Sequence, residues 1–216
     1  MIVTKPLPSY LSKRYQGWRA TGYEENKFWY QRLATEGQRP RAMVIACCDS
    51  RVHINKLFEA DSGELFIHRN IANLVPPHSP DGDRHGTSAA IEYAVVHLKV
   101  AHLVVMGHSN CGGVQGCIDL CRGNAPELDK PESFIGPWLE ILKPGYERVA
   151  KSTDDEMLNT AVEKEAVVVS LENLATFPWV KDAVEAGDLS LHGLWNDIGD
   201  GRLHEYLSEK GSFFPV

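Results

Sequence analysis

The 216-residue chain carries 22 basic and 29 acidic side chains, a formal charge of −7. It is the size of one α/β domain with a full core, and its acidic excess excludes a general nucleic-acid-binding surface. No apolar run reaches the length of a membrane span, Met1 to Arg14 lacks the pattern of a secretory leader, and five cysteines without scaffold spacing point to reduced thiols in a cytoplasm.

Residues 9–35 mix charges with Tyr15, Trp18, Tyr23, Phe28, Trp29 and Tyr30, which predicts an N-terminal helical arm with a sticky face. Such an arm can pack on its own domain or embrace a second subunit. Gly37 to Pro40 breaks it, and Ala42 to Ala46 reads as the first strand. A short helix is expected over Ile54–Ala60 and a second strand over Glu64–His68. Leu74 to Gly86, with Pro76, Pro77, Pro80 and Gly82, reads as a long surface loop.

Thr87 then opens a helix carrying Ala90, Ile91, Ala94, Val95 and Leu98 at helical spacing, and Leu103–Met106 is a strand. A helix starts at Gly112-Gly113 and ends near Gly123. Further helices are expected over 133–150, over 154–175 with its acidic first turn Asp154-Asp155-Glu156, and from Pro178. Leu189 to Trp195 is the last strand expected, with Leu189, Leu191 and Leu194 inside. Strands alternating with helices imply an α/β fold: a mostly parallel central sheet with helices on both faces and the N-terminal helical arm. One domain is expected over 1–216, with 1–36 as the arm.

Two stretches carry the chemistry: Cys47-Cys48-Asp49-Ser50-Arg51 and Gly107-His108-Ser109-Asn110-Cys111-Gly112-Gly113. Each follows directly on a strand. If those strands are parallel neighbours, their carboxyl ends bring Cys47, His108 and Cys111 to a common crevice. Taken singly, such a cysteine is most often a small buried hydrophobe and such a histidine an ordinary core or surface residue. Together, two thiols and an imidazole suit zinc, and three protein ligands leave the open position of a catalytic rather than structural site. The other histidines, His53, His68, His78, His85, His97, His102, His192 and His204, have no ligand-like partners nearby in sequence. Cys117 and Cys121, one helical turn apart, read as core thiols.

Cys-x-Asp-Ser-Arg followed by His-x-x-Cys-Gly-Gly resembles the β-class carbonic anhydrases. The resemblance is dense over residues 38–116. It includes Gly63 to Asn73 and Ala89 to Ala94, and it continues more loosely to the C-terminus. It implies one zinc per chain on Cys47, His108 and Cys111, reversible hydration of CO₂ to bicarbonate and a proton, and a homodimer or higher even-numbered homo-oligomer with no nucleic-acid or membrane partner. Gln38, Phe66, Ile71, Tyr93 and Gly112 match positions lining the substrate pocket in the plant-like branch. In the other branch an aromatic or apolar residue replaces the glutamine, and the aspartate, here Asp49, can swing onto zinc as a fourth ligand and close the site. Gln38 therefore argues for the open form. One departure is Cys48, a second thiol where a small or hydroxylated residue is usual.

Zinc lowers the pKa of bound water to about 7. Two thiolates reduce the metal's positive charge and blunt that effect, so Asp49, two residues beyond Cys47, is expected to orient the water while Arg51 holds Asp49 off the metal. A hydrolase for carbonyl sulfide or carbon disulfide would share the same metal site. A non-catalytic, zinc-stabilised module would have four protein ligands and no need of the Asp49–Arg51 pair.

Overall fold

The computed structural model describes residue 2, residues 4–80 and residues 85–216. The chain divides into two compact units, Met1–Arg39 and Pro40–Val216. In the first, α1 (Ser9–Trp18) runs through a wider π-type turn (Arg19–Tyr23) towards α2 (Lys27–Glu36). Neither helix buries a residue within its unit. Aromatic contacts hold it together: Tyr23 stacks on Tyr30 at 5.6 Å between centroids, and Trp18 lies edge-on to Tyr30 at 5.8 Å.

The second unit alternates strands and helices: β1 (Ala42–Cys47), α3 (Ile54–Leu57), β2 (Leu65–Asn70), α4 (Gly86–Glu92), β3 (His102–His108) and α5 (Gly112–Cys121). Then come α6 (Ile135–Leu139), α7 (Lys143–Val149), α8 (Asp155–Leu174), α9 (Pro178–Glu185), β4 (Ser190–Asn196), β5 (Leu203–Leu207) and β6 (Ser212–Pro215). The six strands form one sheet in the order β2-β1-β3-β4-β5-β6. The first four are parallel and the last two pairings antiparallel. β1 lies in the interior of the sheet with both faces covered, which is why its sequence is continuously apolar rather than alternating.

The two faces are unequal. Met43, Ile45, Leu103 and Val105 pack with Ile91, Val167, Leu174, Phe177 and Val180 from α4, α8, the segment after it and α9. Val44, Ala46 and Met106 point the other way, where the described residues of the unit supply α3, through Ile54 and Leu57, and the loops around Val52 and Ile198. A third cluster gathers Cys47, Cys111, Val114, Ile118, Leu142, Leu158 and Val162 at the strand ends. Ser170 of α8 fastens the segment beyond β2, donating to the Asn73 carbonyl at 3.1 Å and accepting the Val75 N–H at 3.2 Å.

Several expectations shift. The helix expected to Ala60 stops at Leu57, because Glu59 turns the chain with φ +48°. The 133–150 helix is three pieces, with a 3₁₀ turn at Glu140–Leu142 and Pro144 in the first turn of α7. Gly82 lies outside the described residues, and α4 already begins at Gly86. Leu189–Trp195 is not the last strand, since β5 and β6 follow. Leu189, Leu191 and Leu194 do pack inside, though on two faces: strand periodicity sends Leu194 to the α3 face, beside Met106, while Leu191 joins the cluster around Leu189.

Candidate metal centre

β1 and β3 are parallel neighbours with Ala46 opposite Met106, so Cys47 and His108 finish adjacent strands side by side. Cys111 follows after one tight loop, in which Asn110 takes the left-handed conformation at φ +55° that asparagine tolerates better than most residues. α5 then starts at Gly112. A Cβ on Gly113 would sit 2.7 Å from Ile71 Cγ2 and 3.0 Å from Ala72 Cβ, so only glycine lets this helix approach the segment after β2. The result is a crevice at the carboxyl ends of parallel strands, where open α/β sheets place their sites.

The ligand atoms of Cys47, His108 and Cys111 all lie within 4.8 Å of one another, and all three residues are buried. The two sulfurs are 3.9 Å apart. Sharing a proton splits the pair: the Cys111 side chain pulls the Cys47 thiol below its ordinary pKa, while Cys47 and burial push Cys111 up. His108 Nδ1 is 2.9 Å from the Ser109 carbonyl, which can only accept, so Nδ1 carries the proton and Nε2 a lone pair. That Nε2 is buried without a hydrogen-bond partner. A buried imidazole nitrogen left unpartnered beside two thiols fits a zinc ion.

Asp49 is held away from this trio. Its Oδ1 accepts from Arg51 Nε and from the Arg51 backbone N–H, both at 2.9 Å, and its Oδ2 accepts from Nη2 at 2.6 Å. Arg51 Nη2 also donates to the Asn110 carbonyl at 2.9 Å, tying the two motif loops together. The guanidinium keeps the Asp49 carboxyl well below the usual carboxylate range. Asp49 Oδ2 nevertheless stands 4.0 Å from His108 Nε2, so the carboxylate flanks the trio without joining it.

Of the expected substrate-contacting residues, Ile71 packs beside Gly113, two residues past Cys111, and Gly112 opens α5 directly after Cys111. Phe66 and Tyr93 contact each other at 5.9 Å between centroids, and Phe66 pairs with Met43, four residues before Cys47. At ~3.3 Å per residue that places Phe66 roughly 13 Å along the sheet from its own Cys47. Gln38 belongs to the first unit.

Two supporting residues are absent from those expectations. Arg69 donates to the Cys47 carbonyl from Nε and Nη2 at 2.9 and 2.7 Å, and to the Asp49 carbonyl at 2.7 Å. Glu163 of α8, 2% exposed, accepts the Cys111 backbone N–H at 3.1 Å and the Trp195 indole N–H at 3.2 Å. The sequence does carry a signal for Glu163: it falls in register with Val167, Ser170 and Leu174 on the buried side of α8, where an unpaired acid would be costly.

The family model for carbonic anhydrase matches residues 42–203. Beta carbonic anhydrase 3 of Arabidopsis thaliana is 39% identical over 187 residues, covering 85% of this chain and 70% of the relative. The solved β-carbonic anhydrase CcaA superposes with a TM-score of 0.86 at 30% identity, covering 96% of this chain and 91% of that one. A structure from work on two tetrameric β-carbonic anhydrases of Sordaria macrospora superposes at 0.77 with 32% identity, covering 91% and 94%. With the family model spanning most of the second unit and these relatives spanning most of the chain, the protein belongs to the β-class carbonic anhydrases, zinc enzymes with carbonate dehydratase activity.

Proposed function

We propose that this chain hydrates CO₂ reversibly to bicarbonate and a proton with one zinc held by Cys47, His108 and Cys111. The observation that carries the reading is the bare, buried His108 Nε2 opposite two thiols, with the neighbouring carboxylate already committed to Arg51. Zinc in that position would supply Lewis acidity, lowering the pKa of a coordinated water to about 7. The chain's own groups do the rest. Two thiolates offset the dication's charge. Asp49, ionised and aimed by Arg51, offers a carboxylate oxygen that accepts the O–H of the reacting water and orients its lone pair. The double tie of Arg51 to Asp49 and Asn110 keeps that carboxylate from turning inward, which supports the open form of the site.

Phe66 lies too far along β2 to serve its own Cys47, Tyr93 packs against Phe66, and β2 is a sheet edge. We assign them, with Gln38, to the pocket of a partner subunit in a homodimer, or in a higher even-numbered assembly like the tetrameric relatives. The exposed Tyr10, Tyr15, Trp18 and Phe28 of the first unit support its role as an arm for subunit association, working with the second unit as one domain. CO₂, uncharged and without a donor, suits such apolar surroundings.

Stopped-flow CO₂ hydration with parallel elemental analysis tests the assignment. Wild type should turn over with one zinc per chain, and Cys111→Ser should lose most of both. Full zinc occupancy in Cys111→Ser refutes the ligand set, and carbonyl sulfide hydrolysis outrunning CO₂ hydration refutes the substrate.

A further inference from the structure

Away from the metal centre, the face of the sheet that carries α3 brings two more histidines together. His102 opens β3 and His192 is the third residue of β4. The parallel register pairs His102 with Ser190 and Val104 with His192, so the two rings are diagonal neighbours on one face. Their facing atoms, His102 Nδ1 and His192 Nε2, are 3.1 Å apart, and both residues are exposed. One strand further, Glu205 of β5 pairs with Leu194 and so lies on the same face. The pairing of β4 with β5 stops at that point, and the strands part around a cavity of about 370 Å³ lined by His192 and Glu205.

The spacing of the two nitrogens is that of a chelate. Two nitrogens on one ion at ~2.0–2.1 Å stand about 2.9 Å apart at a right angle and ~3.4 Å apart at the tetrahedral angle. The observed separation falls between them. We propose that His102 and His192 form a second, surface site for a divalent ion that favours imidazole, namely Cu²⁺, Ni²⁺ or Zn²⁺, with Glu205 supplying balancing charge and water filling the remaining positions. The ring–ring hydrogen bond uses the same two atoms. Binding therefore requires the donor ring to move its proton to its other nitrogen, a tautomer change with no net proton release. Burial and the neighbouring His102 hold His192 below its ordinary pKa, against the opposing pull of Glu205, which favours the neutral imidazole that an ion needs. With two imidazoles and no thiolate, the site binds more weakly than the Cys47–His108–Cys111 centre. An ion here clasps β3, whose far end carries His108, to β4.

Equilibrium dialysis of the tag-free, zinc-loaded enzyme against Ni²⁺, followed by elemental analysis of both metals, tests the site. The expected result is one nickel per chain with the zinc content unchanged, lost in His102→Ala and in His192→Ala. Glu205→Gln should bind nickel several-fold more weakly, and an unchanged affinity removes Glu205 from the site. Absence of nickel binding by the wild type, or full binding by both alanine variants, overturns the proposal. Both histidines are exposed, so the variants should fold, and circular dichroism matching the wild type verifies it.

Discussion

Replacing Glu163 with glutamine changes one atom in a buried site and should cost measurable stability. The carboxylate accepts two N–H groups, one from the Cys111 backbone and one from Trp195. A glutamine keeps one carbonyl for one of them and turns an amide N–H towards the other, leaving a buried donor unpaired at about 1–3 kcal/mol. Two kcal/mol in a chain of this size is roughly 4–8 °C in Tm. The desolvation of the carboxylate itself, which raises the Glu163 pKa, is relieved by the change and places the net loss towards the lower end. Urea unfolding of the zinc-loaded enzyme measures it. A double-mutant cycle isolates the cause: in the Trp195→Phe background the conflicting donor is gone, so the cost of Glu163→Gln should fall by about 1 kcal/mol or more. Equal stability of Glu163→Gln and wild type, or strict additivity with Trp195→Phe, refutes the reasoning.

Arg51→Ala should retain zinc while CO₂ hydration falls by about 10²–10⁴-fold, since Asp49 is then free to turn inward, and near-normal turnover shows that it needs no restraint. Arg51 holds Asp49 below its ordinary 3.8, so the stability contributed by the pair is present above that value and is lost only as pH falls through the lower folded value. Between about pH 5 and 9 the pH–rate profile should therefore follow one ionisation, and a steep cooperative rise there contradicts the open form. Gly113→Ala should destabilise by about 1–3 kcal/mol, because its methyl meets Ile71 and Ala72 at 2.7 and 3.0 Å. At Gly112 a methyl meets nothing within 4 Å, and equal thermal shifts for the two alanine variants remove this explanation.

The metal-ligand motifs were legible because each sits at the end of a largely buried strand, where continuous apolar sequence is unambiguous: Met43 to Ala46 and Leu103 to Met106. α8 was legible through its acidic start and long periodic run. β5 and β6 were not, being short, half-buried segments that gain strand character only by pairing with β4 and with each other. The 133–150 stretch misled because its apolar spacing stays helical across Pro137 and Pro144, which lack the backbone N–H that a continuous ladder needs, without breaking the pattern. Glu163 and Arg69 act through backbone groups of the metal-binding loops, and no spacing rule records which carbonyl or N–H a distant side chain will reach. The His102–His192 contact depends on the register of β3 and β4, 90 residues apart in sequence, which no local pattern encodes.

The placement of β1 between β2 and β3 has a consequence for biosynthesis. Cys47 and Cys111 are 64 residues apart, and nothing local can bring them together before β3 docks on β1. At about 5–20 residues per second, a ribosome delivers the second thiol and the imidazole roughly 3–13 s after the first. Throughout that interval the nascent chain presents the adjacent thiols Cys47 and Cys48 without their eventual partners. Parallel pairing through long crossovers is itself slow. All three ligands can therefore engage one ion only after β3 docks on β1, and until then the adjacent thiols are open to oxidation.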